Sequence, residues 1–230
     1  MQNQKFSGHI MLKNTPCAVI RDNEIITTEA FAPLHIQHRN NFIEWLEDRS
    51  ADLNRSYMRN ILKHLNLPVL DGVTAVKSVH AASVTDMFWI KPFDSTLNYT
   101  DVIFKNDLYH KAALIGDPDL FSQEKIFTPE ITNLGSYNKG WKLENGKWFM
   151  YKSGSPLEVW SEIFTSALAK QLGLDAVEYK CINGFSVCQD FTKCAVNFEP
   201  AKALIGSNTS YETNLEIMKS FGLQKKYMDI

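Results

Sequence analysis

Lys152 and Glu162 are the two residues of this sequence whose types and positions point most directly to chemistry. Lys152 ends a strand-like run, and Glu162 follows in a segment with helical spacing. A lysine on a strand can reach the phosphates of a nucleotide, and a carboxylate on the next helix can hold its ammonium group in place. Upstream, the segment from Gly135 to Gly140 is small and polar, so its backbone N–H groups can cover phosphates. Together these residues predict a nucleotide-phosphate site.

Each part of this prediction has a simpler alternative. Glu158 is an alternative partner for Lys152, because it lies in the same helical segment. The segment from Gly135 to Gly140 does not have the G-x-G-x-x-G pattern, so it is weak support when taken alone. An ordinary meander with a surface lysine would show the same order of strand, loop, strand and helix. The hypothesis therefore depends on the ordered combination of loop, hairpin, lysine and glutamate.

The elements that must position these residues are predicted from turn and period signals. A short β-type run ends at Gly135, and strands are predicted at 141–143 and 147–152. Asn145-Gly146 joins the two strands and favours a type I′ turn, because both central residues of that turn need a positive φ. After the second strand the apolar period becomes helical, with an apolar stripe at Ile163, Ala167 and Leu168.

Two more strands are predicted after the helix. They span 177–182 and 185–191, and Asn183-Gly184 forms the hairpin turn between them. The complete sheet would then have five strands. The end of the last strand would be a hinge whose backbone groups bind the edge of adenine, although a plain core strand is the alternative. The hinge residues would be Gln189, Asp190, Phe191 and Thr192.

Several segments together resemble HipA-like serine/threonine kinases, and most closely the phage- and Firmicutes-type branch of that family. The resemblance covers residues 80–195 well and the N-terminal part loosely. The segments that carry it are 86–91, 128–132, the loop from Gly135 to Trp141, 151–154, and Ser161-Glu162 followed by 167–173.

The resemblance implies the small lobe of a protein kinase, which binds ATP. Lys152 would contact the ATP phosphates, Glu162 would pair with Lys152, and the loop containing Ser136 and Tyr137 would cover the phosphates. Some members of the family autophosphorylate a serine in this loop, which makes Ser136 a candidate. Mg²⁺ would bind with the large lobe, so we assign no metal ligand within this chain. A DNA-binding antitoxin is the partner that the resemblance suggests for some members.

The residues that a kinase needs for phosphate transfer have no match in this sequence. A catalytic Asp, a metal-binding Asn and a second metal-binding Asp belong to the large lobe. Two segments imitate such motifs. Asp190-Phe191-Thr192 lies on the fifth predicted strand with no catalytic loop before it, and His38-Arg39-Asn40 precedes the lysine and lacks the Asp. We therefore assign no catalytic residue and expect the chain alone to transfer no phosphate.

Three hypotheses follow for the chain as a whole. In the first, it is a truncated HipA-like kinase, which the predicted helix running to Ile230 favours. In the second, it is one subunit of a split toxin–antitoxin kinase and supplies the nucleotide-binding lobe to a partner. In the third, it is a non-catalytic protein-interaction module that keeps the fold.

Composition and charge exclude several classes of function. The net charge is −2, so the chain has no basic footprint for direct nucleic-acid binding. The arginines between residues 39 and 59 alternate with acidic residues, which favours a solvated helix face. The sequence shows neither a signal peptide nor a membrane span, so we expect a cytoplasmic protein. Four cysteines without metal-ligand spacing are predicted to be reduced, buried thiols: Cys17, Cys181, Cys188 and Cys194.

We predict an α+β protein in three parts. Residues 1–125 would form an N-terminal mixed α/β subdomain, with strands within 9–30 and helices within 38–66. Residues 126–196 would form the kinase-like ATP-binding small lobe, a five-stranded antiparallel sheet with one helix. Residues 197–230 would be the start of a large lobe.

Overall fold

A computed structural model describes residues 5–69, 71–116, 127–193, 195–207 and 210–223. They form a mixed α+β fold with two four-stranded antiparallel sheets, which confirms the predicted α+β class. Among the described residues, no helix is both long enough and apolar enough to cross a membrane.

The first sheet combines three N-terminal strands with a strand that returns much later in the chain. Its order is β3-β2-β1-β4, and all neighbouring strands are antiparallel. Asp22 and Asn23 both have positive φ, as the tight turn between β2 and β3 requires. The strands are β1 (Gly8–Leu12), β2 (Thr15–Arg21), β3 (Glu24–Thr28) and β4 (Phe88–Pro92).

Four short helices pack with this sheet around one core. They are α1 (Leu34–Arg39), α2 (Phe42–Glu47), α3 (Met58–His64) and α4 (Gly72–Ser78). The side chains of Asn41 and Asp71 cap α2 and α4 by accepting hydrogen bonds from backbone N–H groups of the first turn. We call the part of the chain up to β4 the N-terminal subdomain. The largest buried side chains of its core are Ile10, Ile20, Ile36, Phe42, Leu46, Ile61, Leu62 and Ile90.

The connector between the two sheets contains two further helices, α5 (Tyr99–Val102) and α6 (His110–Ile115). Asn98 and Asp101 form a capping box at the start of α5. Tyr109, which precedes α6, is fully buried in the N-terminal core, so the connector is packed against the subdomain it follows. The predicted boundary between residues 125 and 126 lies outside the described residues.

The second sheet consists of two hairpins with a helix between them. Its order is β5-β6-β8-β7, so β8 pairs directly with β6, the strand that ends in Lys152. Both hairpin turns lie where the sequence predicts them, and Asn145 and Asn183 have φ values of 49° and 52°. The strands are β5 (Lys139–Glu144), β6 (Lys147–Lys152), β7 (Lys180–Ile182) and β8 (Phe185–Gln189).

The prediction of five strands in this sheet is wrong, because the sheet has four. The run ending at Gly135, predicted as the first strand, contains a 3-10 helix at Pro129–Thr132 instead. Thr128 caps this helix by accepting a hydrogen bond from the Glu130 backbone N–H, and the proline ring fixes φ in the first turn. The β-branched residues of the run favour a strand, but the cap and the proline override that propensity.

Helix α7 (Pro156–Gln171) follows β6. Ser155 and Glu158 form a capping box at its start. Val159 is the one buried residue of this helix, all of whose residues are described. Within the predicted apolar stripe, Ile163 is partly buried, whereas Ala167 and Leu168 are exposed.

The segment after β8 returns to the N-terminal subdomain. The Phe198 N–H donates to the Thr85 carbonyl oxygen at 2.9 Å, and the Leu34 N–H donates to the Glu199 carboxylate at 2.9 Å. Before β5, the Ala51 N–H donates to the Ile131 carbonyl oxygen at 2.8 Å, so the segments on both sides of the second sheet are anchored to the N-terminal subdomain. Two helices follow, α8 (Lys202–Ile205) and α9 (Tyr211–Ser220).

The described cysteines are free thiols. Cys17 and Cys188 are buried, as the sequence predicts, but the prediction is wrong for Cys181, which is exposed. Cys181 lies in β7, an edge strand whose residues are all exposed. Cys194 lies outside the described residues.

Candidate functional site

Lys152 and Glu162 form a close ion pair at the end of β6. The Lys152 Nζ lies 2.9 Å from each oxygen of the Glu162 carboxylate. It also donates a hydrogen bond to the Tyr179 hydroxyl at 2.7 Å, so all three protons of the ammonium group have an acceptor. The Tyr179 ring centroid lies 4.5 Å from the same nitrogen. The ammonium group of Lys152, which lies in β6, is therefore fixed by contacts with helix α7 and with the segment before β7.

Lys152 lines a cleft between the second sheet and the N-terminal subdomain, with a cavity of about 220 Å³. The predicted hinge residues Gln189, Asp190 and Phe191 line the same cleft. The second sheet contributes an apolar surface made of Trp141, Met150 and Cys188. The N-terminal subdomain contributes residues that sequence reasoning did not connect with the site, namely Trp45, Arg49 and Asp86.

The N-terminal side of the cleft is built on a buried ion pair. Arg49 Nη2 lies 2.9 Å from Asp86 Oδ1, Arg49 Nε donates to the Ala81 carbonyl oxygen at 2.9 Å, and the guanidinium lies 4.8 Å from the Trp45 ring centroid. The predicted solvated arginine face is wrong for Arg49 and Arg55, which are 9% and 4% exposed. Their partners are distant in the sequence, so local charge alternation could not identify them.

The residues after β8 are held by a local hydrogen-bond network. The Asp190 N–H donates to the Trp148 carbonyl oxygen at 2.8 Å, which extends the ladder past the end of the strand. The buried Asp190 carboxylate accepts hydrogen bonds from the Thr192 hydroxyl and N–H and from the Lys193 N–H. This carboxylate therefore organises a turn. Phe191 is half-exposed at the cleft.

The glycine-bounded loop contacts the start of α7, and only the residues at its two ends, Leu134 and Lys139, are among the described residues that line the cleft. Gly135, Ser136 and Tyr137 are exposed and are not among the described residues that line the cavity. The Tyr137 hydroxyl forms a hydrogen bond with the Glu158 carboxylate. Glu158, the alternative partner for Lys152, also accepts the Ser155 N–H at 2.6 Å. Of the two candidate glutamates, Glu162 is the one that contacts the lysine.

Arg55 connects this loop to the N-terminal subdomain. Its Nε donates to the Gly135 carbonyl oxygen at 2.7 Å, and its Nη2 donates to the Asn133 carbonyl oxygen. Burial lowers the pKa of Arg55 to about 10, so the side chain is still charged at neutral pH. A charged donor on two backbone carbonyls fixes where the loop begins.

Glu130 supports the same loop from the other side. Its side chain is fully buried and accepts the Trp141 N–H at 2.8 Å and the Asn133 side-chain amide at 3.1 Å. Burial raises the pKa of Glu130 to about 7, although Arg55 nearby acts in the opposite direction. This carboxyl group therefore joins the 3-10 helix, the loop and β5 into one unit.

Lys139 is a second lysine of the cleft, and the sequence-based prediction missed it. It is 8% exposed, lies directly opposite Lys152 in the β5–β6 ladder, and donates to the Leu134 carbonyl oxygen at 2.7 Å. Burial, together with the charges of Arg55 and Lys152, lowers the pKa of Lys139 to about 8. The tight turn at Asn145-Gly146 determines this register, so the pairing of the two lysines was predictable from the turn.

Two glycines of the predicted loop make room for this arrangement. Gly135 has a φ of 98°, and a side chain there would collide with the Lys139 ammonium group. Gly140 lies in β5, where a Cβ would lie 2.6 Å from the backbone carbonyl oxygen of His110 in α6. Both glycines therefore permit close packing of the segments around the cleft.

One group of candidate metal ligands occurs in the described part of the chain, formed by His35, Glu44 and Asp48. The His35 Nδ1 lies 3.5 Å from Asp48, and its Nε2 lies 4.0 Å from Glu44, so the two nitrogens face different carboxylates. Arg39 pairs with Glu44 and Lys202 pairs with Asp48. Because these cations already balance both carboxylates, we assign no metal to the group.

Comparison with known proteins gives no matching family model and no significant match to a curated protein or a solved structure. The chemistry of the site is therefore the basis for a functional assignment. Its distinctive features are the ion pair of Lys152 with Glu162, the second lysine opposite it, and the cleft that they share with the end of β8.

Proposed function

We propose that this chain is the nucleotide-binding part of a HipA-like serine/threonine protein kinase, in which the second sheet and α7 act as an ATP-binding small lobe. One observation carries the proposal. Lys152 at the end of a strand is held by Glu162 of the next helix, beside a cleft that also contains the residues after β8. In protein kinases a strand lysine paired with a helix glutamate is required for productive ATP binding.

In this proposal the adenine ring lies against the apolar side of the cleft, where Trp141, Met150 and Cys188 offer a surface for a flat purine. The backbone at Gln189–Phe191 would meet the polar edge of the ring. The phosphates would lie at Lys152 and Lys139. A phosphate oxygen would replace the Tyr179 hydroxyl as the third acceptor of Lys152, and Glu162 would keep the ammonium group in place.

Phosphate transfer would need groups that this sequence does not contain. Another polypeptide segment, in the same protein or in a partner, would supply the catalytic Asp and the ligands for Mg²⁺. In that assembly the exposed Ser136 would be the autophosphorylation target. We place the assembly in the cytoplasm, with an antitoxin-like protein as its partner and without direct nucleic-acid contact by this chain. Alone, the chain should bind ATP weakly and transfer no phosphate.

Calorimetric titration with ATP and Mg²⁺ tests this proposal on three proteins: the wild type, Lys152→Met and Lys147→Met. Lys147 is the matched control, because it lies exposed at the start of the same strand. Loss of a charged hydrogen bond to phosphate should weaken ATP binding by about tenfold or more in Lys152→Met. The Lys147→Met variant should bind ATP as the wild type does.

Two results would contradict the proposal. Unchanged affinity of Lys152→Met would remove Lys152 from the nucleotide site. Metal-dependent ATP turnover by the purified chain, abolished by Lys152→Met, would show that the catalytic groups are present after all.

A non-catalytic interaction module remains a second candidate because of one observation, the apolar face that α7 leaves uncovered. Such a module would keep the ion pair of Lys152 and Glu162 as a structural link between strand and helix. It would bind no ATP, while still associating through α7. The same titration therefore separates the two candidates.

A further inference from the structure

Helix α7 presents an apolar stripe to the outside of the molecule. Its members are large and recur at helical spacing, with exposed fractions between 45% and 72%. Trp160 and Phe164 stack on each other with their ring centroids 4.9 Å apart. We call this set, which ends at the C-cap residue of the helix, the α7 stripe: Leu157, Trp160, Phe164, Leu168 and Leu172.

The inward side of the same helix mixes apolar and polar residues, and its apolar members, Val159, Ile163 and Ala169, are smaller than the aromatic and leucine side chains of the stripe. Val159 is its one buried residue, and the partly buried positions include Glu162 and Ser166, which contact Lys152 and the Tyr179 N–H. An amphipathic helix normally turns its apolar side towards the core. Here small apolar and polar residues attach the helix to its own chain, while its largest apolar side chains lie outward, which is the arrangement of a helix that contacts a second surface.

The spacing of the α7 stripe identifies that surface. Phe164 lies at its centre, Trp160 and Leu168 lie one turn away on either side, and Leu157 and Leu172 lie about two turns away. A two-fold axis through Phe164 would therefore set each residue of one helix against a stripe residue of an antiparallel copy. Trp160 would face Leu168 of the other copy, so that a large side chain meets a smaller one.

The charge of the residues around the α7 stripe and the apolar area of the stripe are both compatible with an antiparallel pair of helices. The exposed residues that lie beside the stripe on the outward side of the helix, Ser161, Thr165 and Gln171, are uncharged, so these positions would bring no like charges together in two copies. At the exposed fractions given above, the five side chains present roughly 500 Å² of apolar surface. Two copies would bury about 1,000 Å² in total, the lower limit for a specific interface.

We propose that a second copy of this chain docks on the α7 stripe, with the two α7 helices antiparallel around a two-fold axis at Phe164. The interface would lie on the face of α7 opposite the side chains that hold Lys152. It would therefore fix the helix that carries Glu162 and leave the cleft open.

Sedimentation velocity over a range of micromolar concentrations tests the association. The wild type should form a dimer, and the double variant Trp160→Ser, Phe164→Ser should remain monomeric. Phe31→Ser is the matched control, because Phe31 is also an exposed phenylalanine, at 44%, but lies outside the stripe. Since all of these side chains are exposed, circular dichroism should show an unchanged fold. A monomeric wild type, or dimerisation unaffected by the double variant, would overturn the proposal.

Cysteine cross-linking tests the antiparallel geometry. In a background with Cys181→Ser and Cys194→Ser, the variant Phe164→Cys should form a disulfide-linked dimer on mild oxidation, because this residue would meet its own copy at the axis. Leu157→Cys should not, because its copies would lie at opposite ends of the interface. Equal cross-linking of both variants would indicate parallel helices and would contradict the proposed geometry.

Discussion

In the N-terminal subdomain, side chains from one sheet and four helices meet in a single apolar core, whereas the second sheet is backed by small clusters. The subdomain contains most of the largest fully buried side chains of the described chain, such as Ile10, Phe42 and Leu62. Around the second sheet the buried apolar groups are fewer: Val84, Trp141, Met150 and Cys188 in one cluster, and Leu114, Tyr151 and Val187 in another.

The second sheet instead relies on polar links. Glu130 and Arg55 hold the loop, and Lys152 and Glu162 hold the helix. Such hydrogen bonds and ion pairs form only when their donors and acceptors are held in fixed positions. The N-terminal subdomain provides this by anchoring the segments on both sides of the second sheet. The two regions therefore differ in role. The N-terminal subdomain provides most of the stability, and the second sheet carries the charged groups of the candidate site.

The largest effect should come from the buried carboxyl group of the second region. The folded-state pKa of Glu130 is raised to about 7 from an ordinary value near 4.5, so the folded state binds this proton more tightly than the unfolded state. This proton therefore contributes about 3 kcal/mol to the free energy of unfolding. The contribution is present in full below pH 4.5 and is lost as the pH rises through 7.

Urea denaturation between pH 4.5 and 8 should show this loss in the wild type and a flatter profile in Glu130→Gln. Glu24→Gln, at an exposed position of β3, is the control and should keep the wild-type profile. Identical profiles for the wild type and Glu130→Gln would show that the fold of the second region does not depend on the protonation of Glu130.

A matched pair of core substitutions compares the packing of the two regions directly. Val76 and Val187 are 0% and 3% exposed, but Val76 lies in the large core and Val187 in a small cluster. A cavity is more costly where the surroundings cannot collapse, so Val76→Ala should lose about 2 kcal/mol of unfolding free energy and Val187→Ala about 1 kcal/mol. Equal losses in urea denaturation would contradict the difference in packing.

The smallest effect should be the contribution of Lys139 to nucleotide affinity. Lys139→Met should weaken ATP binding several-fold, because one of two cations opposite the phosphates is lost. Since the pKa of Lys139 is lowered to about 8, its charge disappears as the pH rises past 8. The ATP affinity of the wild type should therefore fall across that pH, and Lys139→Met should remove most of this fall in a calorimetric titration. A fall that persists in the variant would assign it to another group.

Short-range signals predicted the parts of the fold that depend on neighbours in sequence. The Asn145-Gly146 turn placed β5 and β6 in their correct register, and the residues Ser155 to Glu158 start α7 by a capping box. The same logic failed at Pro129–Thr132, where a local cap produces a 3-10 helix in place of a strand. The β-propensity of the side chains there did not predict the backbone conformation.

Long-range contacts explain what sequence reasoning could not reach. The N-terminal side of the cleft depends on Arg49 meeting Asp86, and the loop depends on Arg55 meeting the carbonyl oxygen of Gly135. Neither pairing leaves a periodic or spacing signal in the sequence. The pairing of Lys152 with Glu162 was predictable because a strand followed directly by a helix limits where the two side chains can meet.

The central claim is that the cleft beside Lys152 binds ATP, and a ¹⁵N-edited NMR titration tests it most directly. On addition of ATP and Mg²⁺, we predict that the amide signals of Gln189, Asp190, Phe191 and Lys139 shift together, while those of β3 stay unchanged. No shifts at saturating ATP, or shifts confined to residues away from the cleft, would contradict the account.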